Sequence, residues 1–186
     1  PCLQAPPNVC TERRTYVANV TLPVATHGYA IVYQRCCRNN TISNVNNSGS
    51  WGNSYYITIP PMDTRCNGSA SFISDPPVAL CRDDSLYLDF SVNEPDGDSL
   101  FYTLCQPLHG GSQQTPAPNP PSPPPYTPVP FTPGLSASYP LPSNPAISID
   151  PSTGILTGKP TASGQFVFAV CVEEYDTNGV LLSNLK

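Results

Sequence analysis

The chain has 186 residues, of which 25 are proline, 12 glycine and 8 cysteine, and only 11% are charged. Proline lacks a backbone donor and clashes with the preceding helical turn, so its abundance excludes an all-helical protein; 39% hydrophobic content with little charge excludes a disordered one. The net charge of −5 is uneven, with residues 1–75 at +2 and residues 76–186 at −7. That balance argues against nucleic acid as a partner and leaves a divalent cation, or contact between unlike halves of two copies, as its uses.

Period-two apolar alternation predicts short strands in chain order. In Thr15–Leu22, Tyr16, Ala18, Val20 and Leu22 share one face. Gly28–Arg38 is the next strand, stopped at Asn39-Asn40, and Ser54–Ile59 follows, closed by Pro60-Pro61. Phe72–Leu80 is interrupted by Asp75-Pro76-Pro77, read as a domain junction. Beyond it, Leu86, Leu88, Phe90 and Val92 alternate with polar neighbours. An acidic turn spans Glu94–Asp98, and a strand covers Leu100–Cys105. Ile147–Ile149 and Ile155–Thr157 flank a turn at Asp150–Gly154. Gln165–Tyr175, apolar on both faces, reads as a buried central strand, and Val180–Leu185 ends the series. Pro116–Pro133 holds ten prolines interleaved with Tyr126, Val129 and Phe131, which predicts an ordered ridge packed on the sheets in place of a free polyproline II segment.

The longest apolar run, Phe166–Val172, is far below the ~20 residues a membrane-spanning helix needs, so no membrane span is expected. The chain opens on Pro1 with no leader in view, which suggests a processed or excised chain. Eight cysteines (Cys2, Cys10, Cys36, Cys37, Cys66, Cys81, Cys105 and Cys171) lack the paired CxxC spacing of a zinc site and suit disulfides in an exported protein. The sequence leans to Cys2–Cys10 and Cys105–Cys171. Cys36 and Cys37, expected on opposite faces of a strand, are left to reach Cys66 and Cys81.

Five stretches in order carry a family resemblance: YQRCCRNNT (Tyr33–Thr41), EPDGDSLFYTLCQPL (Glu94–Leu108), PNPPSPPPYTPV (Pro118–Val129), IDPSTGILTGKP (Ile149–Pro160) and VCVEEYDTNGVLLS (Val170–Ser183). Together the chain resembles Bacteroidota secreted surface proteins of the gliding-motility-associated, PKD or Ig-like type. That likeness implies export by the type IX route and a role in adhesion, surface structure or motility. Residues 94–186 also resemble the cadherin-like, dystroglycan-type Ig module, with Glu94 where that module carries aspartate. In the family, β sequence usually precedes the segment at Pro1 and follows the last strand. The resemblance therefore implies a sandwich short of edge strands, and copies that lend strands to one another in a fibre.

The candidate chemistry is sparse. No cofactor is expected save calcium, for which Glu94, Asp96 and Asp98 offer clustered hard oxygens, with Asp83, Asp84 and Asp176 as distant contributors. Glu173 and Glu174, adjacent on a strand, face opposite ways and cannot serve as a glycosidase pair. His27 and His109 sit beside glycines in loops, no strained G-x-S-x-G turn exists, and the chain is read as non-enzymatic. Trp51, Tyr55 and Tyr56, beside the Asn/Ser/Gly-rich loop Asn44–Asn53, are candidates for stacking on sugar. Asn19, Asn39, Asn46 and Asn67 stand in N-x-S/T triplets, and Ser85 and Ser99 in Asp-Ser-apolar triplets resembling a bacterial O-glycosylation acceptor. The sequence as a whole predicts an all-β protein of two tandem Ig-like sandwich modules, residues 1–75 and 76–186, stapled by disulfides, with a proline-rich ordered loop at 116–133. It is expected at the cell surface as a self-associating subunit of a fibre or adhesin, with a module binding surface glycans as the alternative.

Overall fold

A computed structural model describes residues 14–61, 67–75 and 79–186. Among the described residues ten strands form: β1 Tyr29–Arg35, β2 Asn53–Ile59, β3 Ser71–Phe72, β4 Leu86–Asp89, β5 Val92–Asn93, β6 Ser99–Cys105, β7 Ser148–Ile149, β8 Ile155–Gly158, β9 Ala169–Tyr175 and β10 Leu181–Leu185. No α-helix occurs among the described residues, and the one helical turn is the 3₁₀ turn Ser48–Ser50. The all-β expectation from proline punctuation and period-two alternation is met. Thr15–Leu22 is the exception: it carries the alternation and yet forms no strand.

Three antiparallel sheets result, ordered β1-β2-β10-β9-β6, β4-β8-β7 and β3-β5. The core lies between the first two. Leu88 of β4, Leu156 of β8 and Ile147 oppose Tyr102 of β6 and Val170 and Val172 of β9, with Phe90, Val92, Leu141 and Ala70 completing the cluster. Alternation explains the division of faces: Tyr102 pairs with Val172 and Leu104 with Val170 on the inward side, while Phe101 and Glu173 pair on the other. The Tyr102 hydroxyl accepts from the buried Val92 N–H at 3.1 Å, giving the aromatic its polar partner. Its ring lies against Gly154, where a Cβ would come within 2.7 Å, and a φ of +72° suits glycine there as well. Residues 165–168, expected as the start of the longest strand, lie outside the ladder, but β9 is the central, buried strand that the apolar run predicts.

The five-stranded sheet crosses the boundary expected between residues 75 and 76. β2 hydrogen-bonds to β10, with Tyr56 and Lys186 exchanging N–H and carbonyl at 3.1 Å each way, and β1 lies beyond β2. Of the strand expected over Phe72–Leu80, the described residues form only β3, which pairs with β5.

The proline-rich stretch is an ordered ridge. Val129 is fully buried, Tyr126 tilts against Tyr56 at 5.4 Å, and the buried Gln34 side chain accepts from the Ser122 N–H at 2.8 Å. A second tie comes from Asn44, also fully buried. Its amide donates to the carbonyls of Pro140 (2.7 Å) and Val167 (2.6 Å), and its Oδ1 accepts from the Val167 N–H (3.0 Å).

Cys105 and Cys171 form the expected disulfide across β6 and β9, with Cα atoms 5.9 Å apart. Cys36 and Cys37 correct the expectation: they bond to each other. β1 ends at Arg35, so strand alternation does not govern them, and a cis peptide bond holds their Cα atoms 3.0 Å apart. Cys81 is disulfide-bonded, and Cys2, Cys10 and Cys66, also expected in disulfides, lie outside the described residues.

Candidate functional site

The acidic turn folds around Glu94. Its carboxylate accepts from the N–H groups of Asp96 (2.8 Å), Gly97 (2.5 Å) and Asp98 (2.8 Å), so one side chain closes the loop through three backbone donors. Asp96 turns away and accepts from the Gly68 N–H at 2.5 Å. The expected trio Glu94, Asp96 and Asp98 is therefore replaced by Glu94, Asp98 and Glu174, whose carboxylate oxygens lie within 4.8 Å of one another. The distant contributors are spent locally. Asp83 pairs with Arg82 at 2.9 Å, Asp84 accepts from the Ser85 N–H, and Asp176 closes its own turn by accepting from Asn178 and Val180.

Glu174 was legible in the sequence only as half of a carboxylate pair. The structure confirms that the pair is split, with Glu174 on the inward face and 1% exposed, and Glu173 on the other side accepting from the Tyr175 hydroxyl. Ser183 Oγ donates to Glu174 at 2.5 Å, and Asn67 Nδ2 reaches both its oxygens at 3.4 Å. Burial raises the Glu174 pKa above the usual carboxylate range; the charges of Glu94 and Asp98 add to the rise, and the bonds from Ser183 and Asn67 oppose it. The trio supplies part of the six to eight oxygens that calcium takes.

The aromatic candidates are not brought together. Trp51 sits edge-on to His109, with ring centroids 5.2 Å apart, and its indole N–H donates to the Asn46 carbonyl. His109 Nδ1 accepts from the Gly52 N–H at 2.9 Å, and burial, then the Arg38 charge, lowers its pKa. Tyr55 and Tyr56 occupy opposite faces of β2, because neighbours on a strand must. Tyr56 packs on the proline ridge, while Tyr55 stacks on Tyr33 of β1, a residue the sequence reading did not single out. The cross-strand register Tyr33–Tyr55 is the signal that would have found it.

The Tyr33–Tyr55 pair belongs to a larger exposed surface. Ile57 is in register with Leu185, which packs on the core, so Ile31, Tyr33, Tyr55 and Ile57 lie on the core side of the sheet. The three-stranded sheet does not reach that far, and Ile31, Tyr33 and Tyr55 are 62%, 61% and 54% exposed. β1 is also an edge: among the described residues no strand pairs with it on the side away from β2. Close by in sequence, Tyr16, Val17 and Val20 are 85%, 87% and 71% exposed.

Of the modification candidates, Asn19, Asn39, Asn46, Ser85 and Ser99 are exposed, whereas the half-buried Asn67 amide is engaged with Glu174. A groove of about 650 Å³ opens at the side of the core between Leu86, Leu88 and Phe166. No helix among the described residues is long and apolar enough to cross a membrane.

Comparison with known proteins gives one informative likeness. Integrin beta-like protein A of Dictyostelium discoideum is 26% identical over 155 residues, which cover 81% of this chain and 6% of that protein. The chain thus spans a small fraction of the relative's length. No protein-family model matches, and no solved structure matches.

Proposed function

We propose that the chain is a non-enzymatic, extracellular structural module, a subunit of a cell-surface fibre or adhesin in which neighbouring copies join by β-strand addition. One observation carries the reading. A seven-residue sheet edge flanked by the exposed Tyr33–Tyr55 pair is preceded in the chain by an exposed segment, Thr15–Leu22, that has the alternation of a strand and no strand partner among the described residues. An open edge and a loose strand are the two halves of one interaction.

The disulfides suit an oxidising compartment, and the likeness to a protein named integrin beta-like supports an adhesion-type role. The resemblance of the five motifs to Bacteroidota type IX secretion substrates favours a bacterial cell surface. On the same reading residues 84–186 form an Ig-like sandwich. β4-β8-β7 facing β6-β9-β10 follows the B-E-D and C-F-G strand orders of that fold, and β1 and β2 of the first half prolong its C-F-G sheet. The test is negative-stain microscopy with light scattering over a concentration series: fibres or concentration-dependent oligomers are expected, and a monodisperse monomer with complete sheets refutes the reading. The exposed Tyr33–Tyr55 stack favours a second reading, sugar binding at those two rings in place of Trp51; glycan binding lost in Tyr55→Ala, with no oligomer, supports it.

A further inference from the structure

We propose that Thr15–Leu22 of one copy adds as a strand to the open edge of β1 in the next copy, and that Pro23 is what forces the segment to pair with another chain instead of its own. The inference rests on the assembly reading above and names its two contact elements.

The acceptor follows from the ladder. Tyr56 turns both its N–H and its carbonyl to Lys186, so Tyr56 and its β1 partner Val32 form a non-hydrogen-bonded pair. Backbone groups alternate along a strand, so those of Ala30, Val32 and Gln34 point to the open side. The free edge ends at Cys36, whose N–H donates to the Pro116 carbonyl at 2.8 Å. It is thus a short template that presents the exposed Ile31 and Tyr33 on one face.

The donor matches it in length and pattern, and its shortest route to β1 is a hairpin. The Gly28 N–H donates to the Ala25 carbonyl at 3.4 Å, closing a turn over Ala25–Gly28. A hairpin continuing from that turn pairs Leu22 with Ile31 and Val20 with Tyr33, which suits the apolar faces. Its first hydrogen-bonded site after the turn, however, sets Pro23 opposite Ala30, and Pro23 has no N–H to give. The structure accordingly leaves the segment out in solvent, with the Tyr29 hydroxyl donating to the Pro23 carbonyl.

In another copy the register is free of the turn. A slide of two residues keeps the same face inward. It sets Thr21, Asn19 and Val17, which all carry N–H groups, opposite Ala30, Val32 and Gln34. Val20 then lies beside Ile31, Ala18 beside Tyr33 and Tyr16 beside Arg35, while Pro23 falls beyond the strand. Charge supports the contact between copies: the donor enters from the +2 half with Arg13 and Arg14, and the body that bears the extended sheet carries −7 over residues 76–186. Such a contact is heterologous and repeats head to tail into a filament.

The test uses sedimentation velocity on the full chain. Wild type is expected to oligomerise with concentration. Val20→Asp, at a position already in solvent, is expected to leave the urea melt unchanged and to weaken association about 100-fold by bringing a carboxylate onto the apolar row. Ile31→Asp with Tyr33→Asp disables the acceptor, and it also repels the carboxylate of Val20→Asp, so the two blocked ends do not rescue one another. Each variant alone is expected to stay monomeric, and an equimolar mixture to give a dimer that grows no further. Pro23→Ala, which restores the missing donor, is expected to shift wild-type oligomers towards monomer with Thr15–Leu22 amides protected from hydrogen exchange. Oligomers that Val20→Asp leaves intact overturn this contact while the assembly reading stands. A wild-type monomer at every concentration overturns both.

Discussion

Replacing Asn44 by alanine removes three hydrogen bonds at once. The amide holds the carbonyls of Pro140 and Val167 and the N–H of Val167 at 2.6–3.0 Å, and the side chain is fully buried. Pro140 is buried as well, so its carbonyl bears the full cost of an unsatisfied acceptor, about 1–3 kcal/mol. Val167 is half-buried, and water can partly replace its two lost bonds at about 0.5–1 kcal/mol each. Asn44→Ala should therefore destabilise by about 2–5 kcal/mol, centred on about 10 °C in Tm for a chain of this size. Urea unfolding should show a lower midpoint with an unchanged slope. Asn44→Asp sharpens the test, because it keeps the volume and the acceptor while aiming a carboxylate at two carbonyls. Burial and those carbonyls raise the folded pKa of that group, so the variant should be weakest at neutral pH and recover as pH falls below the carboxylate range. An Asn44→Ala cost under about 1 kcal/mol, or an Asp variant as stable as wild type at pH 7, would refute the tie.

Glu174→Gln should stabilise the fold at pH 7, because it keeps partners for Ser183 and Asn67 and removes a buried charge facing Glu94 and Asp98. The folded pKa is raised, so wild type binds more protons folded than unfolded and loses stability as pH rises above the ordinary carboxylate value. The advantage of Gln should vanish on titration down towards pH 4, read by thermal melts across pH. Leu156→Ala, at 1% exposure between the two sheets, should cost about 2–5 kcal/mol in urea melts. Removing the Cys105–Cys171 bond, which spans 66 residues, by paired change to alanine should cost about 4 kcal/mol in the same assay, with the β6–β9 ladder kept.

Much of the architecture was legible because its cause is local. β2, β6, β8 and β10 fall within a residue or two of the expected strands, since alternation and proline or glycine stops act over a few residues. The ridge was legible from Tyr126 and Val129, apolar residues that a free polyproline segment does not need. The carboxylate trio was half legible: a turn supplies Glu94 and Asp98 from one stretch, but Glu174 arrives on β9, 76 residues beyond Asp98, through strand pairing that no local pattern encodes. Asn44 was illegible for the same reason, being one amide among several in a polar loop.

The sequence by itself determined an all-β chain, the split of Glu173 from Glu174 and the absence of a helix-long apolar run, while the Cys105–Cys171 staple was one leaning among many possible pairings until the β6–β9 register set it. The features so determined each follow from side-chain periodicity or from proline's missing N–H. The tertiary structure decided that β1 and β2 join the sheet of the second half across the expected boundary at residue 75, that Cys36 bonds to Cys37, and that Tyr33 and not Trp51 stands beside Tyr55 in solvent. It also decided that Thr15–Leu22, as good a strand by pattern as β2, forms no strand with any of the described residues. A strand is stable only where a partner edge can meet its donors and acceptors, and within one chain the turn at Ala25–Gly28 offers that edge in the register that Pro23 cannot use.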